Sequence, residues 1–193
     1  VLTVPEVTRL LAAADPKSTR GLRDRTIVEL MYSTGLRRGE LLGLDLQDVD
    51  REERLVRVRC GKGGKARILP LTRAAWAFLE RYLAEARPLL VRDHPDSSAA
   101  LFLSVRGRRH DEMALVHLLR RLAKAARVAK RVTGHTMRRS YATHLLQGGA
   151  SLRHIQLLLG HSDLTTTSLY LRLDSQDLRR EVLLRHPRER MNP

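Results

Sequence analysis

The sequence predicts a mainly α-helical domain with one small antiparallel β-sheet, an α+β fold. Apolar residues recur at spacings of three and four over most of the chain, which is typical of amphipathic helices. The period changes to alternation in residues 54–71, on either side of a glycine-rich turn. With 193 residues, the chain is long enough to bury one hydrophobic core, alone or with a tail.

Capping signals predict the helices of the N-terminal part. Thr3 lies three residues before Glu6 with a proline in the first turn, so a capping box predicts a helix that ends near Ala14. An Asp-Pro pair interrupts the pattern, and a second helix then ends at Gly35. A short helical turn over residues 36–41 follows directly.

A hairpin follows this helical region. Residues 54–60 and 66–71 are extended runs, and the glycine-rich segment 61–65 joins them in a turn. The turn carries two lysines. We therefore expect the small sheet to present Lys62 and Lys65 at its tip.

The rest of the chain predicts further amphipathic helices. We expect them to start at Thr72, Asp111, His135, Ser151 and Asp174. The first of them should stop near Pro88, because proline removes a helical hydrogen bond. Met113 and Leu152 are expected on buried faces, and residues 187–193 are expected to be loose.

The charge balance favours a polyanionic partner. Lysine and arginine number 36 against 21 acidic residues, which gives a formal net charge of +15. Such a charge attracts a phosphate backbone, although an arginine-rich surface that is merely solvated would have the same composition. Aromatic residues make up only 4% of the chain, which argues against stacking platforms for single-stranded nucleic acid.

The sequence also indicates a compartment. No apolar run approaches the roughly 20 residues that span a bilayer, and the chain does not start like a signal peptide. Cys60 is the single cysteine, so it cannot form an internal disulfide, which fits a reducing compartment. We therefore predict a soluble, cytoplasmic protein without membrane contact.

Six side chains from distant parts of the chain have the chemistry of phosphoryl transfer. They are Arg37, Lys62, His135, Arg138, His161 and Tyr170. Taken singly, each has an ordinary explanation, such as a solvated helix end or a polar cap. Together, guanidinium groups can bind phosphate oxygens bidentately, and a lysine or histidine can transfer a proton. A tyrosine becomes a nucleophile only where cations favour its phenolate, because its usual pKa is about 10.

This chemistry would need no cofactor. A covalent phosphotyrosine preserves the energy of the broken phosphodiester bond, so resealing requires no nucleotide. Two-metal catalysis needs clustered carboxylates, whereas the acidic residues here are scattered or paired with arginines. The pairs His135 with His144 and His154 with His161 lack a thiol or carboxylate partner for zinc. We therefore expect neither a metal nor another cofactor.

Four motifs and a tyrosine, in order along nearly the whole chain, resemble a known family. The motifs are Thr34-Gly35-Leu36-Arg37-Arg38-Gly39-Glu40-Leu41, Gly61-Lys62-Gly63-Gly64-Lys65, His135-Thr136-Met137-Arg138 and Leu159-Gly160-His161-Ser162. Tyr170 lies nine residues after His161. This pattern is similar to that of tyrosine recombinases of the Xer and phage-integrase type. Arg139 departs from it, because many members carry a second histidine at that position.

The resemblance implies a fold and a role for each residue. The fold would be the catalytic domain of a tyrosine recombinase, a site-specific enzyme that cuts and rejoins double-stranded DNA. It implies that Arg37 and Arg138 bind the scissile phosphate and that Glu40 is an orienting acid beside Arg37. It implies that Lys62 acts as general acid and that His135 is an acid/base. It implies that His161 is a further phosphate or transition-state contact. Tyr170 would form a 3′-phosphotyrosyl link, and the implied DNA contacts are Arg38, Lys65 and Arg139.

The resemblance also implies a division of the chain. Residues 1–174 would form the catalytic domain, and residues 175–193 would form a C-terminal helix and tail. We expect an N-terminal helical domain that clamps DNA to be absent from this chain. The stripe Leu178, Val182 and Leu183 could pack on a neighbouring protomer in a ring of four on DNA, or fold back in cis.

Two other functions remain open from the sequence. A relaxase like the type IB topoisomerases would share the tyrosine chemistry without needing four protomers. A DNA-binding module without catalysis is the second alternative, because Gly148 and Gly149 join two helices as in a helix-turn-helix. The apolar end of its would-be recognition helix, residues 157–159, favours core packing instead.

Overall fold

A computed structural model describes residues 1–59, 66–160 and 175–191 of the chain. Within these ranges, the chain forms α-helices and one small sheet. The helices are α1 (Val4–Ala12), α2 (Thr19–Thr34), α3 (Arg38–Leu42), α4 (Arg73–Arg81), α5 (Arg87–Leu90), α6 (Asp96–Ala99), α7 (Glu112–Ala125), α8 (Gly134–Gln147), α9 (Leu152–Leu159) and α10 (Ser175–Arg185). The predicted fold class, mainly α with a small antiparallel sheet, is confirmed.

The sheet has three antiparallel strands in the order β1-β2-β3. They are β1 (Val49–Asp50), β2 (Leu55–Val58) and β3 (Arg67–Pro70). Val56 of β2 pairs with Val49 of β1 and with Leu69 of β3. The hairpin of β2 and β3 was predicted, but β1 was not, because a strand of two residues is too short to show alternation.

Helix α2 is the central element of the fold. All residues from Leu22 to Thr34 are buried, since α4 and α8 pack against it on different sides. Helices that are enclosed all round in this way form the core of a domain. Arg37 follows the end of α2 and Arg138 lies on α8, so this packing brings two of the predicted site residues toward each other.

The local signals at the helix ends are confirmed for α1, α2, α4, α7 and α9, whereas Asp174 lies outside the described residues. Thr3 and Glu6 form the capping box of α1. The side chains of the predicted caps accept hydrogen bonds from backbone N–H groups at Thr72, Asp111 and Ser151. Gly35 ends α2 and Gly160 ends α9, with φ angles of 62° and 65°. Glycine adopts this left-handed conformation without the steric cost that a Cβ atom imposes.

Helical backbone continues through Pro88 and ends at Leu90, close to the expected stop. A π-helical turn, Tyr82–Ala86, follows α4, and α5 then continues from Arg87 to Leu90. The wider turn changes the hydrogen-bond register, so that Pro88 falls in the first turn of α5. A proline is tolerated there because its missing N–H would have no helical partner.

Two predicted core residues are exposed instead. Met113 at the start of α7 and Leu152 at the start of α9 face solvent. The buried stripe of α7 begins at Leu115, and that of α9 begins at Ile155. Both errors occur in a first helical turn, where an apolar residue fits the period but no neighbouring element covers it.

The expectation of a loose C-terminal end was also wrong for residues 187–191. After α10, residues Pro187–Glu189 form a 3₁₀ turn. Arg188 is buried and binds Glu29 of α2, with Nε to Oε2 at 2.9 Å and Nη2 to Oε1 at 2.8 Å. The Nε2 atom of buried His186 lies 2.9 Å from the carbonyl oxygen of Tyr32. The end of the chain is therefore attached to the central helix.

Helix α10 packs in cis within this single chain. It lies against β3 and α9. Leu178 and Val182 are buried, and Leu183 is half-buried. None of the helices in the described ranges has both the length and the apolar composition that crossing a bilayer requires.

Candidate active site

The first part of the site lies between α2 and α3. After Gly35 ends α2, the backbone N–H of Arg37 donates to Glu40 Oε2 at 2.8 Å, and Arg37 Nη1 donates to Glu40 Oε1 at 3.1 Å. The carboxylate therefore caps the short helix α3 and orients the guanidinium. About half of the Arg37 side chain remains exposed, with a relative exposure of 51%.

The second part of the site is Arg138 on α8. Its Nη1 atom donates to the carbonyl oxygen of Gly35 at 2.8 Å, and its Nη2 atom donates to that of Leu159 at 2.6 Å. These bonds attach α8 to the ends of α2 and α9. Burial, together with the nearby positive charge of Arg37, lowers the pKa of Arg138 to about 10. Arg138 is therefore still a cation at neutral pH.

Arg37, His135 and Arg138 line one open pocket of about 400 Å³. Arg38 also lines it and forms an exposed ion pair with Glu112 at 2.7 Å. His135 is exposed in the first turn of α8, whose N-terminal N–H groups also favour an anion. Three of the six predicted catalytic side chains thus line one space, in which two guanidinium groups can hold a phosphate.

Arg67 is a member of this cluster that the sequence motifs did not identify. Its Nη1 and Nη2 atoms bind Glu40 Oε1 and Oε2 at 3.0 Å and 2.8 Å, and its Nε donates to the carbonyl oxygen of Leu158 at 3.0 Å. Burial raises the pKa of Glu40, but hydrogen bonds from Arg67 and Arg37 outweigh it and hold the value at about 2. A signal was present: an arginine in an otherwise apolar strand needs an acidic partner.

Four predicted site residues lie outside the described residues. They are Lys62, Lys65, His161 and Tyr170. The two lysines lie in the sequence between β2, which ends at Val58, and β3, which begins at Arg67. His161 and Tyr170 follow Gly160, the last described residue after α9. Arg139 is exposed on α8.

The other three tyrosines of the chain are buried. Tyr32, Tyr82 and Tyr141 each have a relative exposure of 0%. Burial raises the pKa of all three, in the case of Tyr82 to about 12. The hydroxyl of Tyr32 binds His144 Nδ1 at 2.8 Å, and the hydroxyl of Tyr82 donates to the carbonyl oxygen of Leu101 at 3.0 Å. None of these side chains is available to a substrate in solution.

The two histidines of the first pair considered for zinc, His135 and His144, differ in burial, and His161 of the second pair lies outside the described residues. His135 is exposed, whereas His144 is buried and bound to the Tyr32 hydroxyl. In the part of the chain that the structure describes, no group of three or more histidine, cysteine, aspartate or glutamate side chains is arranged to hold a metal ion.

Comparison with known proteins supports a family assignment. The chain matches the model of the phage integrase family over residues 1–177. It is 44% identical to the tyrosine recombinase XerC of Myxococcus xanthus over 189 residues, 97% of this chain and 63% of that protein. It is 42% identical to the tyrosine recombinase XerD of Pseudomonas aeruginosa over 187 residues, 97% of this chain and 62% of that protein. The chain thus spans less than two thirds of either relative.

Solved structures share the fold. The crystal structure of XerA recombinase superposes with a TM-score of 0.75 at 34% identity, over 100% of this chain and 65% of that chain. The XerH site-specific recombinase, bound to a difH substrate in a pre-cleavage complex, superposes with a TM-score of 0.71 at 25% identity, over 95% of this chain and 53% of that chain. Because the family match and these alignments cover nearly all of its residues, this protein belongs to the phage integrase family.

Proposed function

We propose that this chain is the catalytic part of a site-specific DNA recombinase that cuts and rejoins strands through a 3′-phosphotyrosyl intermediate. The observation that carries the proposal is the convergence of Arg37, His135 and Arg138 on one open pocket. Two guanidinium groups from distant parts of the chain are suited to a phosphate, since they bind its oxygens bidentately and stay charged. The XerC and XerD relatives are named as tyrosine recombinases, which favours the same reaction class.

The proposed roles follow from this geometry. Arg37 and Arg138 bind the nonbridging oxygens of the scissile phosphate and stabilise the negative charge of the transition state. Glu40 orients Arg37 through the hydrogen bonds described above. His135 lies at the pocket rim, where an imidazole can accept or donate a proton.

Tyr170 is the proposed nucleophile. The chain has four tyrosines, and the other three are buried. In the transfer step, the phenol of Tyr170 gives its proton to His135, its oxygen bonds to phosphorus, and the bond between phosphorus and the 5′ oxygen breaks. Lys62, which lies between β2 and β3 in the sequence, donates the proton that the departing oxygen needs, and His161 makes a further phosphate contact. Rejoining reverses these steps, so neither a metal nor a nucleotide enters the proposed scheme.

Double-stranded DNA is the proposed partner. The net charge of +15 attracts its phosphates, and XerH, a similar protein, is a site-specific recombinase solved with its difH substrate. We assign Arg38, Lys65 and Arg139 to contacts with DNA beside the scissile phosphate. Because the proposed substrate is cellular DNA, we place the activity in the cytoplasm.

A trapped covalent adduct tests this function. The probe is a suicide duplex, nicked next to the scissile phosphate so that the short released strand diffuses away and rejoining fails. Its arms are randomised, since the target sequence is unknown. We expect the wild-type chain to become linked to DNA under denaturing conditions, and Tyr170→Phe to form no adduct because it lacks the nucleophilic oxygen.

A matched control is Tyr141→Phe. It removes a buried hydroxyl that makes no hydrogen bond to the described residues, so the adduct should form as in wild type. Wild-type chain that binds the duplex without becoming linked to it would instead support a DNA-binding module. Strand exchange between two marked duplexes separates recombination from relaxation of supercoils alone.

We further propose a division of labour along the chain. Residues 1–174 form the catalytic domain, and residues 175–193 mediate assembly of four protomers on DNA. Exposed leucines on three helices that pack together support this proposal: Leu146 on α8, Leu152 on α9 and Leu184 on α10. Since Leu178 and Val182 are buried in cis in the single chain, assembly uses the exposed side of α10 or requires its release.

A further inference from the structure

Arg67 connects three parts of the site. It binds Glu40 in a two-pronged ion pair and also the carbonyl oxygen of Leu158 near the end of α9. Its side chain is only 11% exposed, and that of Glu40 is 13% exposed. Planar, bidentate pairs of this kind are the most directional ionic contacts in proteins, and partial burial protects this one from screening by salt.

The end of α9 depends on two arginines. The last carbonyl groups of a helix lack partners within it. Here Arg67 Nε binds the carbonyl of Leu158 and Arg138 Nη2 binds that of Leu159. A Cβ atom at Gly160 would lie 3.0 Å from Arg67 Nη1, so the chain leaves α9 directly over this guanidinium. Arg67 and Arg138 therefore both bind the C-terminal end of α9.

The arginines around Glu40 differ in how they bind its carboxylate. Arg67 from β3, Arg37 before α3 and Arg138 from α8 are the charged groups that face it within the described ranges. Arg67 engages both carboxylate oxygens from a mostly buried position. Arg37 uses one side-chain nitrogen and is half exposed. The Arg67 pair thus occupies the carboxylate and leaves most of the Arg37 guanidinium facing the pocket.

We propose that Arg67 is a positioning residue for the phosphate site. It holds Glu40 and the end of α9 in one arrangement, so that Arg37 and Arg138 keep their free donors directed into the pocket, and it does not itself contact the phosphate. This role rests on the proposed function. Without Arg67, Glu40 pairs more closely with Arg37 and Arg138, which occupies the donors that the phosphate needs.

The first test needs no DNA. The Glu40 carboxyl group is titrated by ¹³C NMR in the wild-type chain, in Arg67→Gln and in a control, Arg57→Gln. Arg57 lies on the neighbouring strand, pairs with Asp50 and is exposed, so its replacement removes the same charge outside the site. We expect the Glu40 pKa to stay near 2 in wild type and control, and to rise in Arg67→Gln, because burial is then less opposed.

The second test measures single-turnover formation of the covalent adduct against pH. We expect Arg67→Gln to slow it about 10- to 100-fold, the usual consequence of a misplaced catalytic group. In Arg67→Gln the rate should also fall as the pH is lowered and the Glu40 carboxylate becomes protonated. The wild-type pH profile should lack this acid limb. Arg67→Lys should show an intermediate rate, since an ammonium keeps Glu40 ionised but cannot form the bidentate pair.

The double variant Arg67→Gln with Glu40→Gln distinguishes positioning from a general loss of structure. If Arg67 acts through Glu40, this variant should be no slower than the slower single variant and should lack the acid limb. Strictly additive losses would overturn the proposal, as would an unchanged Glu40 pKa in Arg67→Gln. Should that variant not fold, Arg67→Lys decides by its rate and Glu40 titration. Absence of a wild-type adduct would count against the function, while the titration would still decide the role of Arg67.

Discussion

Two structural constraints act on Gly35, one on its backbone conformation and one on the space beside its Cα atom. Its φ angle is 62°, and a Cβ atom built on it would lie 2.4 Å from Cδ1 of Tyr141. Its carbonyl oxygen also accepts the hydrogen bond from Arg138 Nη1. Glycine is thus required for the backbone conformation and for the close approach of α8, which carries Arg138. The position that ends α2 also connects the central helix to the pocket lined by Arg37 and Arg138.

Replacing Gly35 by alanine should therefore destabilise the fold. We expect Gly35→Ala to lower the free energy of unfolding by about 2–4 kcal/mol, from the left-handed conformation and the contact with Tyr141. Gly39→Ala is the matched control, since a Cβ atom there meets nothing within 4 Å and alanine favours the helix by roughly 1 kcal/mol. Urea denaturation of both variants is the measurement. Equal effects would contradict the steric argument.

At the scale of elements, the C-terminal turn stabilises the central helix through a buried ionic cluster. Glu29 of α2 has an exposure of 0% and is bound by Arg188 from the turn and by Arg25 from its own helix, at 2.9 Å from Nε to Oε1. A buried carboxylate that loses a cation keeps its desolvation cost without compensation. The turn after α10 is therefore part of the core rather than a free end.

The corresponding prediction concerns stability. Arg188→Ala should lower the free energy of unfolding by about 2–4 kcal/mol, because Arg25 alone then neutralises Glu29. Arg190→Ala, two residues later and exposed, should change it by less than about 0.5 kcal/mol. Thermal unfolding measures both, with roughly 2–4 °C of Tm for each kcal/mol in a chain of this size. If both variants melted alike, the ionic attachment would not contribute to stability.

At the scale of the whole molecule, the proposed assembly on DNA depends on one side of the C-terminal helix. Leu184 of α10 is 51% exposed, so Leu184→Ser should leave the monomer stable. We expect it to reduce cooperative binding to a duplex that carries two copies of one site, chosen from the randomised duplexes that form the adduct. The reason is that an apolar contact between protomers is lost. Leu89→Ser on α5, at a position that is 61% exposed, is the control. Gel-shift titrations of both variants test this, and equal cooperativity would contradict the role of α10.

Much of the site could be predicted from the sequence because its signals are local. Arg37 and Glu40 are three residues apart, as are His135 and Arg138, so each pair shares one turn of helix whatever the rest of the chain does. The sequence indicates that Arg67 needs an acidic partner but not which one, because Glu40 lies 27 residues away. That pairing depends on how β3 packs beside α3 and α9.

Local signals were enough to predict the long helices, the caps at Thr3, Thr72, Asp111 and Ser151, and the β2–β3 hairpin, since each depends on a few neighbouring residues. Packing between distant segments set which surfaces are covered: Met113 and Leu152 stay exposed, and Arg188 is buried against Glu29. Burial and ion pairing of this kind depend on contacts between residues far apart in sequence. Periodicity and capping describe one segment at a time and cannot specify its neighbours.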